Sequence, residues 1–555
     1  MVHRCVAPLV LAGLLLGGGC KESSKAPASG PGPKGVIEKV QQEKRAPRLP
    51  VLGVRRLAGE AQDLRASPDG AVLTALVDAQ RPPIQGAPPP MRQGDLWAVP
   101  AEKGEPVRLA RGVTNMPGGW LFTADSRWIL FAGAYDPTQQ IGELYVQDAK
   151  DLAQERQRLA ARVSYFVPSD DSTQLAFVED GLLSVGPLPA GPFRQLAGEV
   201  STAEFSADGK YLYFRRRFSA AGGLFQVSLT DARAQPRRLL DQVADYTVLR
   251  SGRHVVANSR PTPGDRTFQL HVIDVATLED RKLSDDAVRF RVTPDGQVAA
   301  WVGNDGAVSE LGELWVSTLV GGAPRKLADG VKDFEFSPDS KRLVYRANYL
   351  ELPLGGREAK AGDAKVEKVG DLSLVELPDG APRRLQRLCP NYLFSPDGAA
   401  LAYTARIEQP EVTRRLMLLK PGATAPVALK DWLYEYLFQP GTNTLYFRAD
   451  CLREGRACDV LQVPLDAPAG AEPRKELEGV FGLRFSKDGG RAALAYAHLT
   501  DQTFDLALRN MKTGAQQTVD QYVEWPAVSL GSDGARVAYL VKEKQRAGVY
   551  VATSP

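Results

Sequence analysis

Histidine and cysteine are scarce, with four and five copies in 555 residues. That leaves little material for a metal centre built on imidazole or thiolate ligands. His254 and His271 can approach each other on neighbouring strands, but a metal there would still need carboxylates from elsewhere. No Gly-x-Ser-x-Gly occurs, so the nucleophile elbow of α/β-hydrolases is absent. No phosphate loop or dinucleotide fingerprint occurs either. Neither charge sign dominates: 69 Lys and Arg stand against 66 Asp and Glu, a net charge of +3. That balance makes no case for nucleic acid or an acidic substrate. No cofactor, metal or nucleic-acid partner is expected. Beyond the N-terminus, no run is long and apolar enough for a membrane-spanning helix.

What the chain does have is a phrase that returns: an apolar residue, then Ser-Pro-Asp-Gly or a worn copy, then an apolar strand. It stands as Phe394-Ser395-Pro396-Asp397-Gly398 and Phe336-Ser337-Pro338-Asp339-Ser340. Aligned on Asp, the copies are Asp69, Asp125, Asp171, Asp208, Asp295, Asp339, Asp397, Asp488 and Asp533. Ser251 and Gly441 mark two worn members, which makes eleven. Pro presets one turn torsion, Asp suits the next position and Gly relieves the last. Alternating stretches such as Tyr211-Leu212-Tyr213-Phe214 follow, and they read as strands. A further strand resembles Glu313-Leu314-Trp315-Val316, and a basic one resembles Arg325-Lys326-Leu327. With the strand before the turn, each copy holds four short antiparallel strands, the content of a propeller blade.

These Ser-Pro-Asp-Gly turns, Leu-Trp/Tyr-x-Val strands and Pro-Arg-Arg/Lys-Leu strands resemble the TolB-like propeller repeats of bacterial envelope proteins, a branch of the WD-type propellers. The resemblance covers roughly residues 50–555 and implies an all-β propeller of about eleven four-stranded blades. The folded part opens on Val54-Arg55-Arg56-Leu57, an outer-strand pattern, and ends on Gly548-Val549-Tyr550-Val551, a third-strand pattern. One strand from each end can therefore complete a shared blade. Eleven blades exceed an ordinary single ring, so two propellers in tandem are expected. Long insertions in the first and seventh copies, Gln80 to Gly94 and Asn348 to Gly370, suggest where each ring opens. The expected domains are 50–325, with about six blades, and 326–555, with about five.

Residues 1–20 resemble a bacterial lipoprotein signal: Arg4, the apolar run Val6 to Leu16, then Gly17-Gly18-Gly19-Cys20. The resemblance implies lipidation of Cys20, and Lys21 after it implies sorting to the outer membrane. Residues 21–49, rich in Lys, Ser, Pro, Gly and Ala, read as a disordered tether with a reach of roughly 30 Å. Export agrees with the cysteines. Cys451 and Cys458 flank a loop between two strands of one blade and can staple it in an oxidising compartment. Cys389 stands alone and reads as a buried small side chain.

In a four-stranded blade the loops joining strands two to three and four to one share a face, and the Ser-Pro-Asp-Gly turns lie on the other. The candidate partner-binding residues fall on the first of these faces. Arg215, Arg346 and Arg448 recur at one repeat position, and Arg216 and Arg217 follow the first of them. Trp432, Tyr434, Tyr436, Tyr522 and Trp525 stand at the entries to inner strands. Arg and aromatic groups are the types that anchor interfaces. The turn Asp residues recur too regularly to be catalytic. The expected function is a lipid-anchored, non-enzymatic scaffold binding envelope proteins or peptides, its membrane contact made through the lipid alone. Alternatives are a hydrolase or lyase with a channel site, or a small-ligand or carbohydrate sensor.

Overall fold

The computed structural model describes residues 51–55, 61–82, 91–101, 105–217, 222–260, 268–303, 311–353, 366–408, 412–452, 457–468, 470–497, 503–531, 534–541, 543 and 548–553. The leader, Cys20 and the tether lie outside them, as do the centres of both long insertions. Everything described is strand, turn or loop apart from one short 3-10 turn, Trp525–Ala527.

The strands form antiparallel meanders of four. Two long strands, Gln157–Pro168 and Arg325–Phe336, each close one blade and open the next. Counting those two twice, the forty-two strands among the described residues fill eleven blades of four. The last blade is completed by Val51–Arg55, which pairs antiparallel with Gly548–Thr553 in register Val54 to Tyr550. The fold is an all-β propeller.

The turn phrase folds the same way in the described copies that keep Ser or Thr two residues before Asp. Ser67 Oγ donates to Asp69 Oδ1 at 2.6 Å and accepts from the Val72 N–H at 3.0 Å, while Asp69 Oδ1 also accepts from the Ala71 N–H. The pair recurs as Ser206–Asp208, Ser337–Asp339, Ser395–Asp397 and Ser486–Asp488 at 2.5–2.7 Å. Three copies put Ser in the last turn position at positive φ: Ser126, Ser172 and Ser340. Each hydroxyl accepts the turn N–H of the blade before, from Asp69, Asp125 and Asp295. Where Gly398 fills that slot, a Cβ would lie 2.6 Å from the Asp339 nitrogen, so glycine is required there. The motif therefore also joins blades.

The core is a circuit of eleven apolar clusters, one between each pair of consecutive sheets. Val298, Ala300 and Leu314 of the sixth blade pack on Phe334, Leu343 and Tyr345 of the seventh. Leu73, Ala75 and Val77 of the first blade pack on Ala538, Leu540 and Val551 of the last. These two interfaces correct the expected division into 50–325 and 326–555. Two rings would join the sixth blade to the first, whereas the packing runs straight through residue 325 and closes the eleventh blade on the first. The wide spacing near the seventh copy is a hairpin extended past its blade, with Leu350 to Pro353 paired to Val369 to Val366. It does not mark a ring boundary.

Candidate functional site

The face opposite the turns is shaped by a second repeated device. Where the outer strand returns to the centre, the chain adopts a left-handed residue followed by a buried apolar one. The doublets are Gly112-Val113, Glu199-Val200, Gln242-Val243, Gly330-Val331, Leu388-Cys389, Trp432-Leu433, Gly479-Val480 and Tyr522-Val523. The first residue needs φ near +50 to +70°, which glycine reaches at least cost, and the second closes the inter-blade core. Side chains other than hydrogen at this slot work against backbone strain; Glu199 and Trp432 are exposed there, whereas Tyr522 packs on the core.

Arginines then tie one blade to the next. Arg346 sits opposite Asp333 in the ladder and Arg448 opposite Glu435, the shared repeat position read from the sequence. Arg346 donates to both oxygens of Asp333, at 3.0 Å from Nε and 2.8 Å from Nη2, and reaches the Pro390 carbonyl in the link that leads into the eighth blade. Tyr349 and Tyr392 donate to the same carboxylate at 2.6 and 3.1 Å. Burial, and after it the Asp333 charge, raise both phenols well above their ordinary range. Burial likewise pushes the nearby Cys389 thiol up to about 12, so this lone cysteine is an inert core group. Arg448 repeats the clamp: Nε reaches Glu435 at 2.9 Å and Nη1 the Phe481 carbonyl. Arg65 and Arg484 clamp from the inner strand instead, to Trp120 O at 3.0 Å and Val528 O at 2.6 Å.

The candidate partner-binding residues therefore divide. Arg346 and Arg448, with side chains only 14 % and 5 % exposed, are engaged inside the fold, which corrects the expectation that they meet a partner at the surface. Arg215 is half-buried on Ser201 at 3.1 Å, and Arg216 donates to Gly198 O at 3.0 Å beneath Phe225. Arg217 is exposed. Trp525 packs over Gly482, with Arg484 5.1 Å from its ring, and is a core plug rather than a surface anchor. Trp432 and Tyr434 do stand out, 46 % and 47 % exposed. Tyr434 is backed by Arg448 at 4.8 Å. Beside Trp432 lies a groove of about 410 Å³ lined by Arg415, Ala428, Leu429, Lys430, Asp431 and Asp450. Cys451, which follows Asp450, is disulfide-bonded to Cys458. Sequence reasoning had picked out Trp432 and Tyr434 but not the Arg415–Asp431 and Lys430–Asp450 pairs, which come from three strands.

Two other features bear on chemistry. Glu335, on the inner strand of the seventh blade, has its carboxyl raised by desolvation and by Asp333, with Arg291 of the sixth blade opposing. His271 does not meet His254. It bonds Asp280 through Nδ1 at 2.9 Å and Ser259 Oγ through Nε2 at 3.0 Å, while His254 faces Asp274 at 3.7 Å. Ser259 and His271 are buried, 5 % and 6 % exposed. Among the described residues no group of three or more His, Cys, Asp or Glu is placed to hold a metal ion.

The fold and its two faces define the chain as a β-propeller with one decorated face. No family model matches the sequence, and no curated protein matches it. Solved structures do. One titled as the eukaryotic initiation factor aligns at 10% identity with a TM-score of 0.39, over 69% of this chain and 92% of that one. An oligogalacturonate lyase in complex with manganese aligns at 14% and 0.28, over 70% and 98%. A tricorn protease aligns at 11% and 0.25, over 84% and 58%.

Proposed function

We propose that this protein is a non-enzymatic propeller that binds a protein or peptide of the bacterial envelope through the face opposite its turns. Residues 1–20 direct export, Cys20 carries the lipid, the outer membrane is the anchoring surface, and 21–49 hold the propeller away from it. The TolB-like resemblance of the repeats favours this setting.

One observation carries the binding reading. Of the nine exposed large apolar side chains among the described residues, five belong to the seventh to ninth blades: Leu350, Val366, Leu393, Trp432 and Tyr434. Four of these lie in loops or strand ends on the decorated face. Clustering of that kind marks an interaction surface, whereas scattered apolar residues do not. The two strands that present Leu350 and Val366 are anchored at Glu367. This carboxylate accepts from Arg406 at 3.0 Å and Arg414 at 2.6 Å, both from the eighth blade. An anchored arm binds with less loss of conformational freedom.

The test is co-purification from envelope extracts of the native host with the intact lipoprotein, compared with a Leu350→Asp/Val366→Asp variant. Leu278→Asp, on the turn face, serves as control. Partners lost from the first variant and kept by the second support the reading. Equal recovery from all three proteins removes it. Blocking lipoprotein signal processing with globomycin tests the anchor, and no accumulation of precursor would refute it.

A further inference from the structure

Trp432 occupies the left-handed slot that three other blades fill with Gly112, Gly330 and Gly479. A tryptophan at φ 59° costs backbone strain that glycine avoids. The slot contributes nothing to the core through this side chain, because the following residue, Leu433, supplies the buried contact. The indole is therefore placed for its exposed face.

Two ion pairs lie beside it in the lining of the groove. Arg415 binds Asp431 bidentately, Nε to Oδ1 at 2.5 Å and Nη2 to Oδ2 at 2.8 Å, and Lys430 binds Asp450 at 2.8 Å. The groove thus holds two cations and two anions that cancel, each still able to hydrogen-bond. The Cys451–Cys458 bridge pins the hairpin that carries Asp450. A flat aromatic beside rigid, charge-balanced donors and acceptors does not suit an anion, since no net positive charge is left over. It does not suit an apolar segment either, because that would desolvate both pairs. It matches a pyranose ring, whose C–H face stacks on an aromatic and whose hydroxyls both donate and accept.

We propose that the groove between Trp432 and the Arg415–Asp431 pair binds a neutral oligosaccharide, one sugar ring stacked on the indole and its hydroxyls bonded to Asp431, Asp450 and Arg415. Trp432 also belongs to the exposed apolar set behind the protein-binding reading, but that reading is tested at Leu350 and Val366 and this one at Trp432, so the two fail separately.

The experiment titrates the purified full-length protein with cellotetraose, maltotetraose, chitotetraose and tetragalacturonate, read by calorimetry and tryptophan fluorescence. At least one neutral sugar is expected to bind saturably, and tetragalacturonate more weakly. Trp432→Ala should weaken that binding at least about tenfold, the size of one aromatic stacking contact, and Trp432→Phe should retain most of it. Trp432→Gly is the decisive variant: it relieves the slot, so its thermal unfolding midpoint should equal or exceed that of the parent while sugar binding is lost. No saturable binding of any neutral sugar, undiminished binding by Trp432→Gly, or tighter binding of tetragalacturonate would each overturn the proposal.

Discussion

Arg346 lies across Asp333 with Nε and Nη2 on the two carboxylate oxygens, at 3.0 and 2.8 Å, and its remaining nitrogen on the Pro390 carbonyl of the link to the next blade, whose Tyr392 also donates to Asp333. The pair therefore joins strands within the seventh blade and joins that blade to the eighth. Removing one partner leaves the other charge largely buried, which costs about 3 kcal/mol. Asp333→Asn and Arg346→Ala should each lower the thermal unfolding midpoint clearly. Arg346→Lys should behave nearly as badly, because an ammonium cannot span the carboxylate and the carbonyl together. Arg217→Ala, at an exposed position, should change stability by no more than about 0.5 kcal/mol. Differential scanning calorimetry on the four variants checks this ranking, and an Arg346→Ala midpoint equal to the parent would contradict it.

The turn carboxylates make stability depend on acid. In Asp171, Asp208 and Asp488, the bond from the preceding Ser hydroxyl is the largest effect, and the carboxyl pKa lies below its ordinary value. A depressed folded pKa means the stabilisation is fully present above the unfolded pKa, near about 3.9. It is lost as pH falls through the lower folded value. The triple change Ser169→Ala, Ser206→Ala, Ser486→Ala should destabilise the protein at neutral pH. It also leaves the N–H groups of Gln174, Tyr211 and Arg491 without their hydroxyl acceptor. The gap between parent and triple variant should narrow as pH drops below about 4. Denaturant midpoints between pH 7 and 2.5 measure it, and a gap that stays constant would show that the Ser–Asp bonds are not charge-assisted.

The blades were legible in the sequence because every blade needs the same turn. Ser67 and Asp69 repeat their bonds as Ser395 and Asp397, so the pattern survives in the residues themselves. The number of rings was not legible. Whether Val298 faces Phe334 or Val77 faces Leu540 depends on how sheets are tilted around the whole circuit, and no local pattern records that. The clamps were half legible. Arg346 and Arg448 recur at one position, but their targets are backbone carbonyls, which have no sequence signature. The left-handed slot was missed because Gly112, Glu199 and Trp432 have nothing chemical in common. Only the buried Val, Leu or Cys that follows marks it.

Closure rests on five residues. Val51–Arg55 supplies the fourth strand of the last blade, paired to Gly548–Thr553. A chain starting at residue 50 keeps this strand, and one starting at residue 58 loses it and exposes the edge of Gly548–Thr553. The shorter chain should unfold about 5 °C or more below the longer one and be cut first by protease near its C-terminus. Equal midpoints would mean that the terminal strand adds nothing to the ring.

The bond chain Ser259–His271–Asp280 has the order of a nucleophile, its base and the base's orienting acid. Its setting opposes that use. With Nδ1–H donated to Asp280, Nε2 accepts from Ser259, whose hydroxyl is buried among strands and committed to the imidazole. A nucleophile must meet substrate, and this one spans the second to fourth strands of a single sheet, where it fixes their lateral order. Three consequences separate bracing from catalysis. A fluorophosphonate probe should leave Ser259 unmodified in the native protein. Ser259→Ala should not alter partner capture. His271→Gln should reduce stability by about 1–3 kcal/mol, the cost of buried groups left without partners. Labelling of Ser259 that disappears in His271→Gln would reverse the reading, because only a histidine acting as base makes that serine reactive, and the fifth blade would then hold a hydrolytic site.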